Sequence, residues 1–200
     1  MTHIVKYISE NGDQFKMKEG FSLTYTPFIV SACVQALLGS QDMNSSLEGT
    51  TIIRKKHVNI GIAVALEDGL MVPVLSKCEQ LDFLQLVRQL RDLVMRTREK
   101  EISPEELQGS TFTITNFGVF DVVSGTPIIN QPNVGILGIG TIKKKPVVIE
   151  AEIGDTIGIQ SMMMISLGFD HRLIDGSGGS MFINSVCKNL SNMDMQSLNL

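Results

Sequence analysis

Phe169-Asp170-His171-Arg172-Leu173-Ile174-Asp175-Gly176 is the stretch on which the reading of this 200-residue chain turns. A histidine that only packs sits among apolar neighbours. His171 instead lies between two charged residues, where a strongly apolar run ends and Gly176, Gly178 and Gly179 follow. Such a place, where a strand leaves the core and the backbone turns, is where reactive side chains tend to be held. Histidine titrates nearest neutrality, so it can take up a proton there and return it. Asp175 stands four residues on; it can cap a following helix or orient the histidine. For a lone histidine, a structural role remains the simpler reading.

Outward from this stretch, Ser180 to Leu190 reads as a last helix with Phe182, Val186 and Leu190 inward. Upstream, Val147 to Ile153 and Thr156 to Leu167 flank Gly154-Asp155 as a long hairpin, and Val134 to Ile139 is a buried apolar run. Thr111 to Thr115 alternates threonine with Phe112 and Ile114, a strand pattern. Lys55 to Val64 reads as a strand that turns at Glu67-Asp68-Gly69 and returns through Leu70 to Leu75.

The first half is helical. Thr26 suits an N-cap and Pro27 the first helical position of a stripe through Phe28, Ile29, Ala32, Cys33, Ala36 and Leu37. Leu81, Leu84, Val87, Leu90 and Val94 repeat at helical spacing, with acids early and Arg96 and Arg98 late, as the helix dipole favours. Ser103-Pro104-Glu105-Glu106 is a capping box for a short helix that Gly109 closes. Helices early and strands late imply an α+β layered domain with a mixed sheet.

The net charge of −4 argues against a general nucleic-acid binder. No apolar run approaches the roughly 20 residues that span a bilayer, and Met1 to Tyr7 does not open a signal peptide. Cys33, Cys78 and Cys187 fit no disulfide framework and no zinc spacing; buried, reduced thiols are expected. Lys143-Lys144-Lys145 before Pro146 reads as a solvated turn, with contact to a cofactor phosphate as the sharper alternative. The glycines after Asp175 could cradle a phosphate, but they lack the lysine and spacing of a P-loop. His3 and His57 read as surface residues.

The company of other segments lifts His171 above a packing role. His171-Arg172-Leu173-Ile174-Asp175-Gly176, Thr111-Phe112-Thr113-Ile114-Thr115-Asn116-Phe117-Gly118 and Gly125-Thr126-Pro127-Ile128-Ile129-Asn130-Gln131-Pro132 together resemble the catalytic domain of the dihydrolipoamide acyltransferases. These are the core components of 2-oxo acid dehydrogenase complexes. Val58 to Val64, Gly69 to Val74 and Tyr25-Thr26-Pro27-Phe28 are similar to the same family, and the order is kept over essentially the whole chain. The His-x-x-x-Asp-Gly pattern by itself is shared with chloramphenicol acetyltransferases and peptide-synthetase condensation domains.

The resemblance implies a chloramphenicol acetyltransferase-like two-layer sandwich over residues 1–200, with a mixed β-sheet and flanking helices. It implies acyl transfer between dihydrolipoamide and coenzyme A without a metal, with His171 as general base, Thr115 stabilising the oxyanion and Asp175 supporting the loop. It implies a homotrimer in which His171 and Thr115 meet across an interface, within a larger cubic or dodecahedral core. Lipoyl domains and the decarboxylase and lipoamide dehydrogenase components are the implied partners, and a bacterial cytoplasm or a mitochondrial matrix the implied place. Relative to the family, a helix and a strand before Thr2, the lipoyl domain and the peripheral-subunit-binding domain are missing, so the chain reads as N-terminally shortened. Leu198 and Leu200 are expected to dock on a neighbour. A non-catalytic core subunit and a phosphate-binding module are the competing readings.

Overall fold

Two helices open the chain in the structure, a computed structural model that describes residues 1–150, 154–198 and 200. Helix α1 (Thr2–Glu19) stops at Gly20, whose left-handed backbone lets its N–H return to the Lys16 carbonyl; glycine adopts that conformation without steric cost. Helix α2 (Thr26–Leu38) is apolar and buried from Pro27 to Leu37 apart from Ser31 and Gln35. Thr26 is its first residue and not its cap: Tyr25 holds the cap position with no side-chain bond, and the Thr26 hydroxyl turns toward Asn116 instead.

A hairpin of β1 (Ser45–Glu48) and β2 (Thr51–Arg54) precedes β3 (Ile60–Leu66), so the strand expected from Lys55 begins later. Its return is split by Val72 and Pro73 into β4 (Gly69–Met71) and β5 (Val74–Leu75). Helix α3 (Phe83–Arg98) has the fuller N-terminal cap. The Gln85 N–H donates to the Asp82 carboxylate at 2.7 Å, and the Gln85 side chain accepts from the Asp82 N–H at 3.0 Å. Strands β6 (Phe112–Asn116), β7 (Gly135–Ile149) and β8 (Thr156–Phe169) follow, then helix α4 (Gly176–Ser191).

The main sheet runs β4-β3-β6-β7-β8, with β5 also against β3. Strands β3, β6 and β7 are parallel, and β8 returns antiparallel along β7. Alternate residues point to one face, where Ile60, Ile62, Phe112, Ile114, Leu137 and Ile139 join the helices in one core. Phe112 meets Phe182 of α4 with ring centroids 5.4 Å apart. Helices thus cover one face of a mixed sheet, the α+β two-layer arrangement expected.

Several local expectations are corrected. Lys143-Lys144-Lys145-Pro146 is not a turn: it lies inside β7, and Lys143 pairs with Asp121 at 3.2 Å. Beyond Ile139, β7 pairs as a strand with β8 alone among the described residues, and a strand with a free edge tolerates proline. The strand expected from Val147 to Ile153 is the last part of β7, which ends at Ile149; residues 151–153 lie outside the described residues. Helix α4 starts at Gly176, ahead of Ser180, so the glycines form its first turn. A Cβ on Gly179 would come within 2.6 Å of the Phe169 ring, and close packing therefore explains that glycine.

Cys33 and Cys78 are buried, and burial raises both thiol pKa values, Cys78 to about 12; Cys187 is exposed. His57 has a partner after all: its Nδ1 lies 2.6 Å from Glu79 Oε1. His3 is half-buried, and its Nε2 is buried with no partner among the described residues. Leu198 and Leu200 pack against the chain's own core.

Candidate active site

Strand β8 carries the chain to His171. Phe169 is level with Gly135 of β7, and the next N–H, of Asp170, donates to the Val134 carbonyl at 2.8 Å. The Asp170 carbonyl then accepts from the Leu173 and Ile174 N–H groups at 3.0 and 2.9 Å, which closes a tight turn. Arg172 folds back on the Asp170 carboxylate, with Nη2 at 2.6 Å, Nε at 3.0 Å and its own backbone N–H at 3.0 Å. That guanidinium holds the Asp170 carboxyl below the usual carboxylate range. His171 is left exposed at the apex, its ring 5.5 Å from that of Phe169. Buried Ile174 anchors the far side.

Asp175 caps α4. Its carboxylate accepts from the Gly178 N–H at 2.7 Å and the Ser177 hydroxyl at 2.9 Å. The Gly178 N–H first, then that hydroxyl, hold its carboxyl below the usual range, with a smaller contribution from the charge of His171. No hydrogen bond joins Asp175 to His171 among the described residues. The aspartate steadies the turn through the helix.

Thr115 belongs to a different place. It lines a groove of about 980 Å³ with Tyr25 and Thr26 at the start of α2, Val64 of β3, and Val87 and Leu90 of α3. Its neighbour Asn116 fixes the chain beyond the strand by accepting the Gly118 N–H at 3.0 Å. His171 does not line this groove.

The register measures the gap. Thr115 is level with Gly138, and Gly138 with Ser166. Phe169 lies two strands across and three residues further toward the start of β6. At about 4.8 Å per strand and 3.3 Å per residue, Thr115 and Phe169 are about 14 Å apart. His171 lies beyond Phe169, past the start of β6, whereas Thr115 is near the end of that strand.

Sequence reading named His171, Asp175 and Thr115, which the structure does not bring together in one chain, and did not name the groove, whose walls come from α1, α2 and the link between them, α3, β3, β4, and β6 with the segment after it. The motifs Tyr25-Thr26-Pro27-Phe28, Val58 to Val64, Gly69 to Val74 and Thr111 to Gly118 each contribute to its walls.

The family model of the 2-oxoacid dehydrogenases acyltransferase (catalytic domain) matches residues 1–198. The chain belongs to this family. It is 37% identical over 188 residues to the dihydrolipoyllysine-residue acetyltransferase component of the pyruvate dehydrogenase complex of Corynebacterium glutamicum, covering 93% of this chain and 28% of that protein. It is 37% identical over 194 residues to the lipoamide acyltransferase component of the branched-chain alpha-keto acid dehydrogenase complex of Bacillus subtilis, covering 97% and 45%. The chain thus spans less than half the length of these two relatives. It resembles the cubic core of a pyruvate dehydrogenase multienzyme complex, with a TM-score of 0.88, 33% identity, and 100% of this chain and 80% of that one covered. A chloramphenicol acetyltransferase, at 15% identity and a TM-score of 0.56 over 90% of this chain and 83% of that one, shares the fold of this acyltransferase-family domain.

Proposed function

We propose that this domain moves an acyl group between the thiols of dihydrolipoamide and coenzyme A, as the core of a 2-oxo acid dehydrogenase complex. A thiol of pKa near 8.5 is mostly protonated at neutrality, so attack on a thioester needs a base. His171 takes the thiol proton as sulfur bonds to the thioester carbon. The Thr115 hydroxyl donates to the oxyanion that forms. Collapse of that intermediate breaks the other carbon–sulfur bond, and His171 returns the proton to the departing thiolate. A positioned base contributes about 10²–10⁴ in rate, and an oxyanion donor about 10²–10³.

The observation that carries this reading is the separation of about 14 Å between Thr115 and the strand end that bears His171. One chain does not bring the two together, so the working site closes between two copies, as in a trimer. Exposed apolar side chains suit such burial: Phe120 and Val119 after β6 are 66% and 68% exposed, the kind of surface that marks interfaces. Assembly of trimers into a larger core, delivery of the acyl group by lipoyl domains, and work beside a 2-oxo acid decarboxylase and lipoamide dehydrogenase belong to the same proposal. So does a bacterial cytoplasm or mitochondrial matrix as its location. The relatives bear the names of acetyltransferase, branched-chain lipoamide acyltransferase and succinyltransferase components.

The test is acyl transfer to dihydrolipoamide from a panel of acetyl-, succinyl- and branched-chain acyl-CoA donors. Turnover with one donor class, lost in His171→Ala while the oligomer persists, is expected. An assembled oligomer that transfers nothing would make the chain a structural core subunit.

A further inference from the structure

Asn133, 3% exposed, is a buried side-chain amide at the entrance to β7. Its Nδ2 donates to Thr113 Oγ1 at 2.7 Å and to Ser110 Oγ at 3.1 Å. Both N–H bonds of the amide are thereby used. Thr113 is itself buried and belongs to β6, where it stands level with Ile136 of β7 and Gly61 of β3. The backbone is held as well: the Asn133 N–H donates to the Asn130 carbonyl at 3.1 Å, and Asn133 bridges Ser46 of β1. One residue thus ties the chain entering β7 to the start of β6 and to the β1–β2 hairpin.

The next residue holds the His171 turn. Val134 is buried, and its carbonyl accepts the Asp170 N–H at 2.8 Å. Asp170 directly precedes His171, so this bond sets where the turn leaves the sheet. Asp170 also binds the Arg172 guanidinium and accepts the Leu173 and Ile174 N–H groups, so the whole turn moves with it. A buried amide needs its partners, because groups left unpaired by its loss are cut off from water. A hydrocarbon side chain at position 133 would take the donor away from the Ser110 and Thr113 hydroxyls, one residue from the carbonyl that holds Asp170.

We infer that Asn133 is a positioning residue: through Val134 and Asp170 it fixes where His171 stands, and with it the line along which the histidine meets the substrate sulfur. It touches no reacting group. The inference rests on the acyl-transfer reading for what His171 does, and on the hydrogen bonds for the clamp itself. A catalytic group misplaced by about 1 Å can lose about 10²-fold in rate, while substrate binding made elsewhere is kept.

The experiment compares Asn133→Leu, which keeps the bulk and loses the donors, with the unaltered full chain. Thr113→Val, which removes one of the two acceptors, serves should the first variant misfold. Thermal melting checks folding, and amide hydrogen exchange reads the clamp. Steady-state transfer to dihydrolipoamide reads the chemistry, from acetyl-, succinyl- or isobutyryl-CoA, whichever the unaltered protein uses. Exchange at the Asp170 amide is expected to quicken about tenfold or more in Asn133→Leu, while that at Leu90 within α3 holds. The kcat is expected to fall about 10–100-fold with both KM values kept, and Thr113→Val to show smaller changes of the same kind. Unchanged exchange at Asp170 overturns the clamp. Faster exchange with unchanged kcat overturns the link to His171. Exchange that quickens equally at Asp170 and Leu90, with kcat falling in proportion to the unfolded fraction, overturns the inference too and leaves Asn133 a structural role. Should the unaltered chain transfer nothing, the acyl-transfer reading fails, and exchange at Asp170 alone decides the clamp.

Discussion

The surroundings of the two ends of β6 are built in opposite ways. At one end, a single run of sequence does nearly everything: Asp170 and Arg172 pin the turn, Ile174 anchors it, Asp175 caps α4, and His171 is left exposed. At the other end, Thr115 is one residue in a groove whose walls come from five separated segments. The first end presents a reactive group and has little shape of its own. The second has shape and apolar wall, but no base. In the proposed acyl transfer each lacks what the other supplies, and the register keeps them about 14 Å apart in one chain.

The largest effect that would sharpen this contrast is at the histidine. His171→Ala is expected to lower transfer about 10²–10⁴-fold with the oligomer intact, by sedimentation and a steady-state assay. Unchanged turnover would remove His171 from the chemistry. Thr115→Val comes next, with about 10²–10³-fold lost in kcat and little change in KM, because its bond forms in the transition state. A change confined to KM would make Thr115 part of substrate binding only.

Asp175→Ala should act through structure. Loss of a helix cap is expected to lower Tm by about 2–4 °C, with Asp175→Asn keeping most of both stability and turnover. A large drop in kcat for Asp175→Asn, at unchanged Tm, would show that the charge itself serves catalysis. The smallest effect concerns acid. Arg172 depresses the Asp170 pKa, so that carboxylate adds stability above its unfolded value of about 3.9 and loses it as pH falls through the lower folded value. Hydrogen exchange at the Leu173 and Ile174 amides should therefore quicken as pH falls below about 4, after correction for intrinsic rates. Arg172→Gln should weaken their protection at neutral pH and flatten that acid dependence.

The same contrast explains what was legible in the sequence. The His171 turn could be read because its parts are contiguous: a cap, glycines and charged residues beside an apolar strand. The alternation of Phe112 and Ile114 and the stripe of Phe182, Val186 and Leu190 were legible for the same reason, since each follows one local period. Helix α1 was not, because Gly12 interrupts it and just Ile4 and Phe15 are buried among many polar residues; its packing decides its form. The lysine run and Pro146 looked like a turn because the free edge that tolerates them arises only when β7 outruns β6. His57 looked unpartnered because Glu79 is 22 residues away. The groove was hidden because no single segment contains enough of it to set a pattern.

One measurement addresses the central claim that the working site is shared between copies. His171→Ala and Thr115→Val chains, each inactive alone, are co-expressed in equal amounts and the mixed oligomer is assayed. If each site takes its histidine from one copy and its threonine from another, random mixing restores about a quarter of the unaltered activity, since both groups are intact in that share of sites. Activity no higher than that of the separate variants would contradict the account and place both residues in one chain's site.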